Sequence, residues 1–151
     1  MACKAVLDTN VLIDFLDAGR PGHRAAVELL GRLVGGGAEV GVPASSLTDV
    51  YYVLRRTAGE PAARRAIGVL VKAVGVLAVD AAVCRAALAG GEPDFEDGVV
   101  RACAEAAGAH WLVTRDRAAF ARSTVPAVSP DELLARLAGP KPPAPGSAAP
   151  G

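Results

Sequence analysis

Apolar positions along this chain follow two alternating periods. Short apolar runs over Lys4–Leu7, Glu39–Val42, Val76–Val79 and His110–Thr114 read as strands. Between them, apolar residues recur at helical spacing. Ala26, Leu29, Leu30 and Leu33 form one stripe within His23–Val34, and Leu47, Val50, Tyr51 and Leu54 form another within Ser46–Arg56. Ala63, Ile67, Leu70, Val71 and Val74 line a further helix that begins near Pro61, a residue suited to a first helical turn. Helices are also predicted over Val11–Asp17, from Asp80 as cap to Leu88, over Asp94–Ala107 and Arg117–Arg122, and from Ser129 to Leu137. Val125–Val128 adds an edge strand. Arg20-Pro21-Gly22, Gly35-Gly36-Gly37 and Gly90-Gly91-Glu92-Pro93 interrupt the pattern where turns are needed.

Strands alternating with helices predict an α/β fold, with a parallel sheet covered on both faces and joined by right-handed crossovers. Such sheets bind ligands beyond the carboxyl ends of their strands, at the switch in strand order. From Gly139 onward the chain is Pro, Gly, Ala and Ser with one lysine, the composition of a disordered tail. The expected organisation is a domain over residues 1–138 and a tail over 139–151.

The length of 151 residues suits one domain with a single core. No apolar run approaches the ~20 residues that span a bilayer. Met1-Ala2-Cys3-Lys4 leads straight into a strand and does not read as a signal peptide. Cys3, Cys84 and Cys103 are odd in number and show no Cys-x-x-Cys spacing. They suggest neither a disulfide framework nor structural zinc, and the expected compartment is the cytoplasm.

The formal net charge is zero, which argues against strong nonspecific nucleic-acid binding. Its distribution is uneven. Arg55, Arg56, Arg64, Arg65 and Lys72 crowd one stretch with Glu60 as its one acid. Glu92 to Asp97 holds four acids and no base. A basic surface beside an acidic cleft suits a metal-dependent phosphodiesterase; two solvated helix faces account for the same charges.

Acids recur at four separated places. Asp8 ends the run Ala5-Val6-Leu7 and precedes Thr9-Asn10. Asp49 follows Ser45-Ser46-Leu47-Thr48, Asp94 and Asp97 open a helix, and Asp116 follows Val113-Thr114-Arg115. Each alone has a structural role. Ser46 and Asp49 have capping-box spacing, as do Asp94 and Asp97, and Asp116 can cap the next short helix. As a set they place carboxylates along one sheet edge. Asp97 shares a helical face with Val100, Cys103 and Ala104, so it projects toward the sheet. Clustered carboxylates repel one another and resist burial, and a divalent cation removes that penalty. Oxygen-only ligands suit Mg²⁺ or Mn²⁺.

Other chemistry is poorly supported. His23 and His110 stand beside no nucleophile motif, and no nucleophile elbow, dinucleotide or P-loop glycine pattern occurs. A phosphatase with Asp8 as nucleophile needs a lysine near a later strand end. Lys72 is mid-helix and Lys141 is in the tail.

Four segments carry a resemblance: Val6 to Asp14, Pro43 to Tyr52, Asp94 to Val100 and Leu112 to Phe120. In this order and spacing they resemble the PIN-domain family, and within it the bacterial VapC-like toxin ribonucleases, from about Cys3 to Ser129. The resemblance implies a three-layer α/β/α sandwich with a central parallel sheet, and Mg²⁺- or Mn²⁺-dependent endoribonuclease activity. By position, Asp8, Asp49, Asp97 and Asp116 match the family's acidic set, with Asp8, Asp97 and Asp116 as metal ligands. Asp49 departs from the family's frequent Glu and is shorter. The position of Asp116 varies in the family. Thr9, Asn10, Ser45, Asp94 and Thr114 are candidates to orient the ligands, and Arg115 to bind substrate. Family habit implies an RNA substrate, a homodimer and an antitoxin protein as partners, with no membrane. The competing expectation is a non-catalytic PIN-like domain that binds RNA or protein.

Overall fold

β1 (Lys4–Leu7) runs through the middle of a five-stranded sheet in a computed structural model that describes residues 3–139. On one side lie β2 (Glu39–Pro43) and then β3 (Gly75–Leu77). On the other lie β4 (Trp111–Val113) and β5 (Ala127–Val128). All pairings are parallel, and the register sets Leu7 opposite Val113 and Lys4 opposite Glu39. The chain leaves β1 toward β2 and later returns to β1's far side. The switch in strand order therefore falls between β1 and β4, where their carboxyl ends leave a crevice.

The helices are α1 (Thr9–Leu16), α2 (His23–Gly35), α3 (Ala44–Ala58), α4 (Glu60–Ala73), α5 (Ala81–Ala89), α6 (Phe95–Ala106) and α7 (Pro130–Leu137), with a 3₁₀ turn at Arg117–Phe120. Strand periodicity sorts the core into two layers. Ala5, Leu7, Val42 and Val113 face one way, onto Leu12, Leu29, Leu33, Val50, Leu70 and Leu133 of α1–α4 and α7. Val6 and Leu112 face the other way, onto Val100 and Ala104 of α6 and Phe120 of the 3₁₀ turn. α5 covers the outer side of α6, where Val83 and Ala87 meet Val99 and Cys103. The result is the three-layer α/β/α sandwich expected from the alternating pattern.

Element boundaries shift where side chains do not terminate a helix. α3 begins at Ala44, two residues before the expected Ser46, because the pre-helical position falls on Pro43. The capping box expected between Ser46 and Asp49 therefore does not form, and Asp49 lies in the second turn, exposed. β3 is one residue earlier than expected and stops at Leu77. The expected tail after Gly139 lies outside the described residues. Among the described residues no helix is long and apolar enough to cross a membrane.

Candidate metal centre

The site begins where β1 runs out. Asp8 is the N-cap of α1, and its Oδ1 accepts the Thr9 backbone N–H at 2.8 Å. The Asp8 backbone N–H donates to Val113 O at 2.9 Å, which carries the β1–β4 pairing one residue past the strands. Thr114, at the end of β4, donates its hydroxyl to Asp8 Oδ2 at 2.8 Å. Asp8 is 3% exposed and Thr114 is fully buried. Burial pushes the Asp8 carboxyl above its ordinary range, against the pull of the Thr114 and Thr9 hydrogen bonds, and the Asp116 and Asp94 charges add to the rise.

α6 supplies the facing acids. Asp94 is its N-cap, and Asp94 Oδ1 accepts the Asp97 backbone N–H at 2.9 Å. This cap fixes the first turn and aims Glu96 and Asp97 at Asp8. Asp8, Glu96 and Asp97 each offer a carboxylate oxygen, and the three atoms lie within 4.8 Å of one another. The crowding is visible in Asp97, whose carboxyl is raised to about 7. Burial is the main cause, followed by the neighbouring charges of Asp94, Asp8 and Glu96. Glu96 is raised by burial too, while a hydrogen bond from Thr9 opposes the rise.

A hydroxyl pair steadies Glu96. Thr9 Oγ1 lies 2.5 Å from Glu96 Oε1 and 3.0 Å from Ser46 Oγ. Thr9 has one hydroxyl proton, so it donates to the carboxylate and accepts from Ser46. The early start of α3 is what brings Ser46 inward and buried.

The sequence-nominated residues separate into groups. Asp8 and Asp97 meet, and Thr9, Asp94 and Thr114 hold the acids in place. Asp116 stands just outside the trio. Its Oδ1 caps the 3₁₀ turn through Ala119 N–H at 3.3 Å, and its backbone N–H donates to Thr114 Oγ1 at 3.0 Å. Asp49 is also outside the trio, although its charge reaches Glu96, and burial raises its own carboxyl. Asn10 is exposed, and Ser45 offers its carbonyl to Thr48 Oγ1 at 2.7 Å, so the α3 hydroxyl at the acids is that of Ser46. Arg115 Nε lies 2.8 Å from Asp14 Oδ2.

Glu96 is the residue that sequence reading passed over. Its signal was present: two positions after a capping Asp and one before Asp97, a first-turn acid can share the same mouth. Among the cysteines, burial raises the Cys103 thiol to about 11, which disfavours the thiolate a nucleophile needs.

The PIN domain family model matches residues 4–118. The chain belongs to the PIN domain family. Solved structures share this PIN fold at low identity. Mycobacterium tuberculosis VapC20, described as a sarcin-ricin loop cleaving toxin, is 21% identical with a TM-score of 0.59, over 72% of this chain and 86% of that one. A toxin–antitoxin complex from Klebsiella pneumoniae matches at 21% identity and TM-score 0.63, over 83% and 97% of the two chains. VapBC-1 from nontypeable Haemophilus influenzae matches at 18% identity and TM-score 0.65, over 85% and 98%. No curated protein matches this PIN sequence at a significant level.

Proposed function

We propose that this PIN domain is a Mg²⁺- or Mn²⁺-dependent endoribonuclease, and the toxin of a toxin–antitoxin pair. The carrying observation is the convergence of Asp8, Glu96 and Asp97 within 4.8 Å at the carboxyl edge of β1 and β4. The donor set fits a hard divalent cation. It is all oxygen and carries three carboxylates, and Asp97 is raised to about 7 by burial first and then by the charges of Asp94, Asp8 and Glu96, a penalty that a bound cation would remove.

Asp8, Glu96 and Asp97 would hold the ion, with Asp116 and Asp49 at the margin of its surroundings. When bound, the ion supplies acidification of a water and neutralisation of charge on the scissile phosphate. The chain's own groups do the rest. Thr114 and the Thr9 N–H fix the Asp8 carboxylate, and Asp94 fixes the first turn of α6. The Thr9–Ser46 pair holds Glu96 and so sets the width of the mouth. Arg115 offers positive charge to RNA phosphates beside the acids.

Residues 1–138 form the catalytic domain in this reading. The fold shared with toxins of toxin–antitoxin complexes supports an antitoxin partner; in this reading that partner covers the acidic mouth and the domain assembles as a homodimer. The test is cleavage of single-stranded RNA with Mg²⁺ or Mn²⁺, with EDTA, and with Asp8→Asn or Asp97→Asn. Loss of cleavage under chelation and in both variants is the expected result. Cleavage that persists through all three treatments would remove the proposal.

A further inference from the structure

Asp14 is the most deeply buried acid outside the metal centre, with 1% of the residue exposed. It binds two arginines at once. Arg20 Nε donates to Oδ1 at 2.7 Å, and Arg115 Nε lies 2.8 Å from Oδ2. Both contacts use Nε, and among the described residues the Nη groups of the two arginines make no hydrogen bond. The Arg115 and Arg20 side chains are 44% and 32% exposed. One carboxylate thus carries two guanidiniums whose outer edges remain free, with one formal positive charge left over.

The arrangement is built. A Cβ on Gly22 would lie 2.2 Å from Asp14 Oδ2, so the glycine lets the turn before α2 close over the carboxylate. His23 Nδ1 lies 2.8 Å from Asp14 O and ties the start of α2 to the same residue.

It is also well placed. Arg115 follows Thr114, whose hydroxyl touches Asp8, so the pair stands at the same sheet edge as the acids. Asp14 lies six residues beyond Asp8 along α1, about 9 Å at 1.5 Å per residue. Free Nη groups in a fixed fork suit phosphate oxygens, and a tethered Nε reduces the freedom lost on binding.

We propose that Arg20 and Arg115, aligned by Asp14, form a subsite for a backbone phosphate of single-stranded RNA, next to the scissile position. This rests on the ribonuclease reading for its substrate, and the contact positions RNA without reading its sequence.

The test is fluorescence anisotropy with a labelled single-stranded RNA and full-length Asp97→Asn protein, over a range of salt. Arg20→Gln and Arg115→Gln should each weaken binding about 3- to 10-fold and lower the salt slope by about 0.7, the value for one phosphate contact on a single strand. Arg20→Lys should keep the slope. In the cleaving protein, Arg20→Gln should raise KM and leave kcat within about 2-fold.

Unchanged affinity and slope in Arg20→Gln would overturn the subsite. So would a loss of RNA binding in Arg20→Gln that is matched by a loss of folding stability in urea unfolding, because that is a folding role. An effect confined to an acidic peptide, with RNA binding unchanged, overturns it as well. Arginine-dependent RNA binding without any cleavage would support the subsite and remove the nuclease reading. Cleavage with arginine-independent binding would do the reverse.

Discussion

Thr114 Oγ1 donates to Asp8 Oδ2 at 2.8 Å, joining the ends of adjacent strands across 106 positions of sequence. The contact fixes the carboxylate that faces α6. Thr114→Val keeps the shape and removes the donor, leaving a buried acceptor short of one partner. A loss of about 1–3 kcal/mol is expected by urea unfolding. Mn²⁺ affinity by calorimetric titration should fall about 10- to 100-fold, as when groups that orient a metal ligand are removed. Thr114→Ser should keep most of both. Equal Mn²⁺ affinity in Thr114→Val and the parent would show that this hydroxyl does not set the site.

Stability should depend on pH with a sign that metal reverses. Asp97 moves from 3.8 to about 7 in the fold. Between those values the native state holds a proton that the unfolded chain has lost. The contribution is therefore fully present below about 4 and disappears as pH rises through about 7. In EDTA, the melting temperature component due to this group should fall across that window, and Asp97→Asn should flatten it. With saturating Mg²⁺ the trend should invert, because the ion binds the deprotonated acids. An EDTA profile identical in Asp97→Asn and parent would refute the assignment.

Much of this architecture was legible from periodicity, and the limits of that reading are physical. The stripe Ala26, Leu29, Leu30 and Leu33 is buried along α2, and Leu7 and Val113 face the same layer as expected of parallel strands. Asp8 and Asp97 were identifiable because one ends an apolar strand and the other lies on a core-facing helix surface. Glu96 was not, since its role depends on a hydroxyl contributed from Thr9, 87 positions away. Ser46 has the spacing of a helix cap to Asp49, yet α3 starts two residues earlier at Ala44 with Pro43 at the cap position, so the serine falls inside the first turn. Arg115 was recognisable as a cation, while its tether to Asp14 requires a turn that sequence spacing does not specify.

The loop that leads into α6 hangs on one buried ion pair. Arg101 contacts Glu92 through Nε, pairs with Glu105 Oε2 at 2.9 Å and donates to Ala86 O at 2.7 Å. The Arg101 and Glu92 side chains are 11% and 4% exposed; Arg101 contacts Glu92 Oε1, and the buried Oε2 has no hydrogen-bond partner among the described residues. Arg101→Met strands a buried carboxylate and should cost about 3–5 kcal/mol. Adding Glu92→Met removes the stranded charge and should recover much of that loss. A double-mutant cycle by chemical denaturation measures the coupling. Additive losses would mean the two side chains do not act as a pair.

Two helical glycines should respond to alanine with opposite signs. At Gly98 in α6, a Cβ would lie 2.8 Å from Ala87 O and 3.2 Å from Ala87 Cα, so α5 and α6 touch through backbone. At Gly68 in α4, a Cβ would meet nothing within 4 Å. Alanine gains about 1 kcal/mol of helix propensity at either site. At Gly98 the contact is with backbone atoms that cannot rotate away, and overpacking of this kind costs about 1–3 kcal/mol, enough to outweigh the gain. Gly68→Ala should stabilise by about 0.4–1 kcal/mol. Gly98 adjoins Asp97, so displacement of α6 should also weaken Mn²⁺ binding in Gly98→Ala and leave it unchanged in Gly68→Ala. A Gly98→Ala protein as stable as Gly68→Ala would mean that α5 yields without cost, and the close approach of the two helices would then have no part in holding the acids.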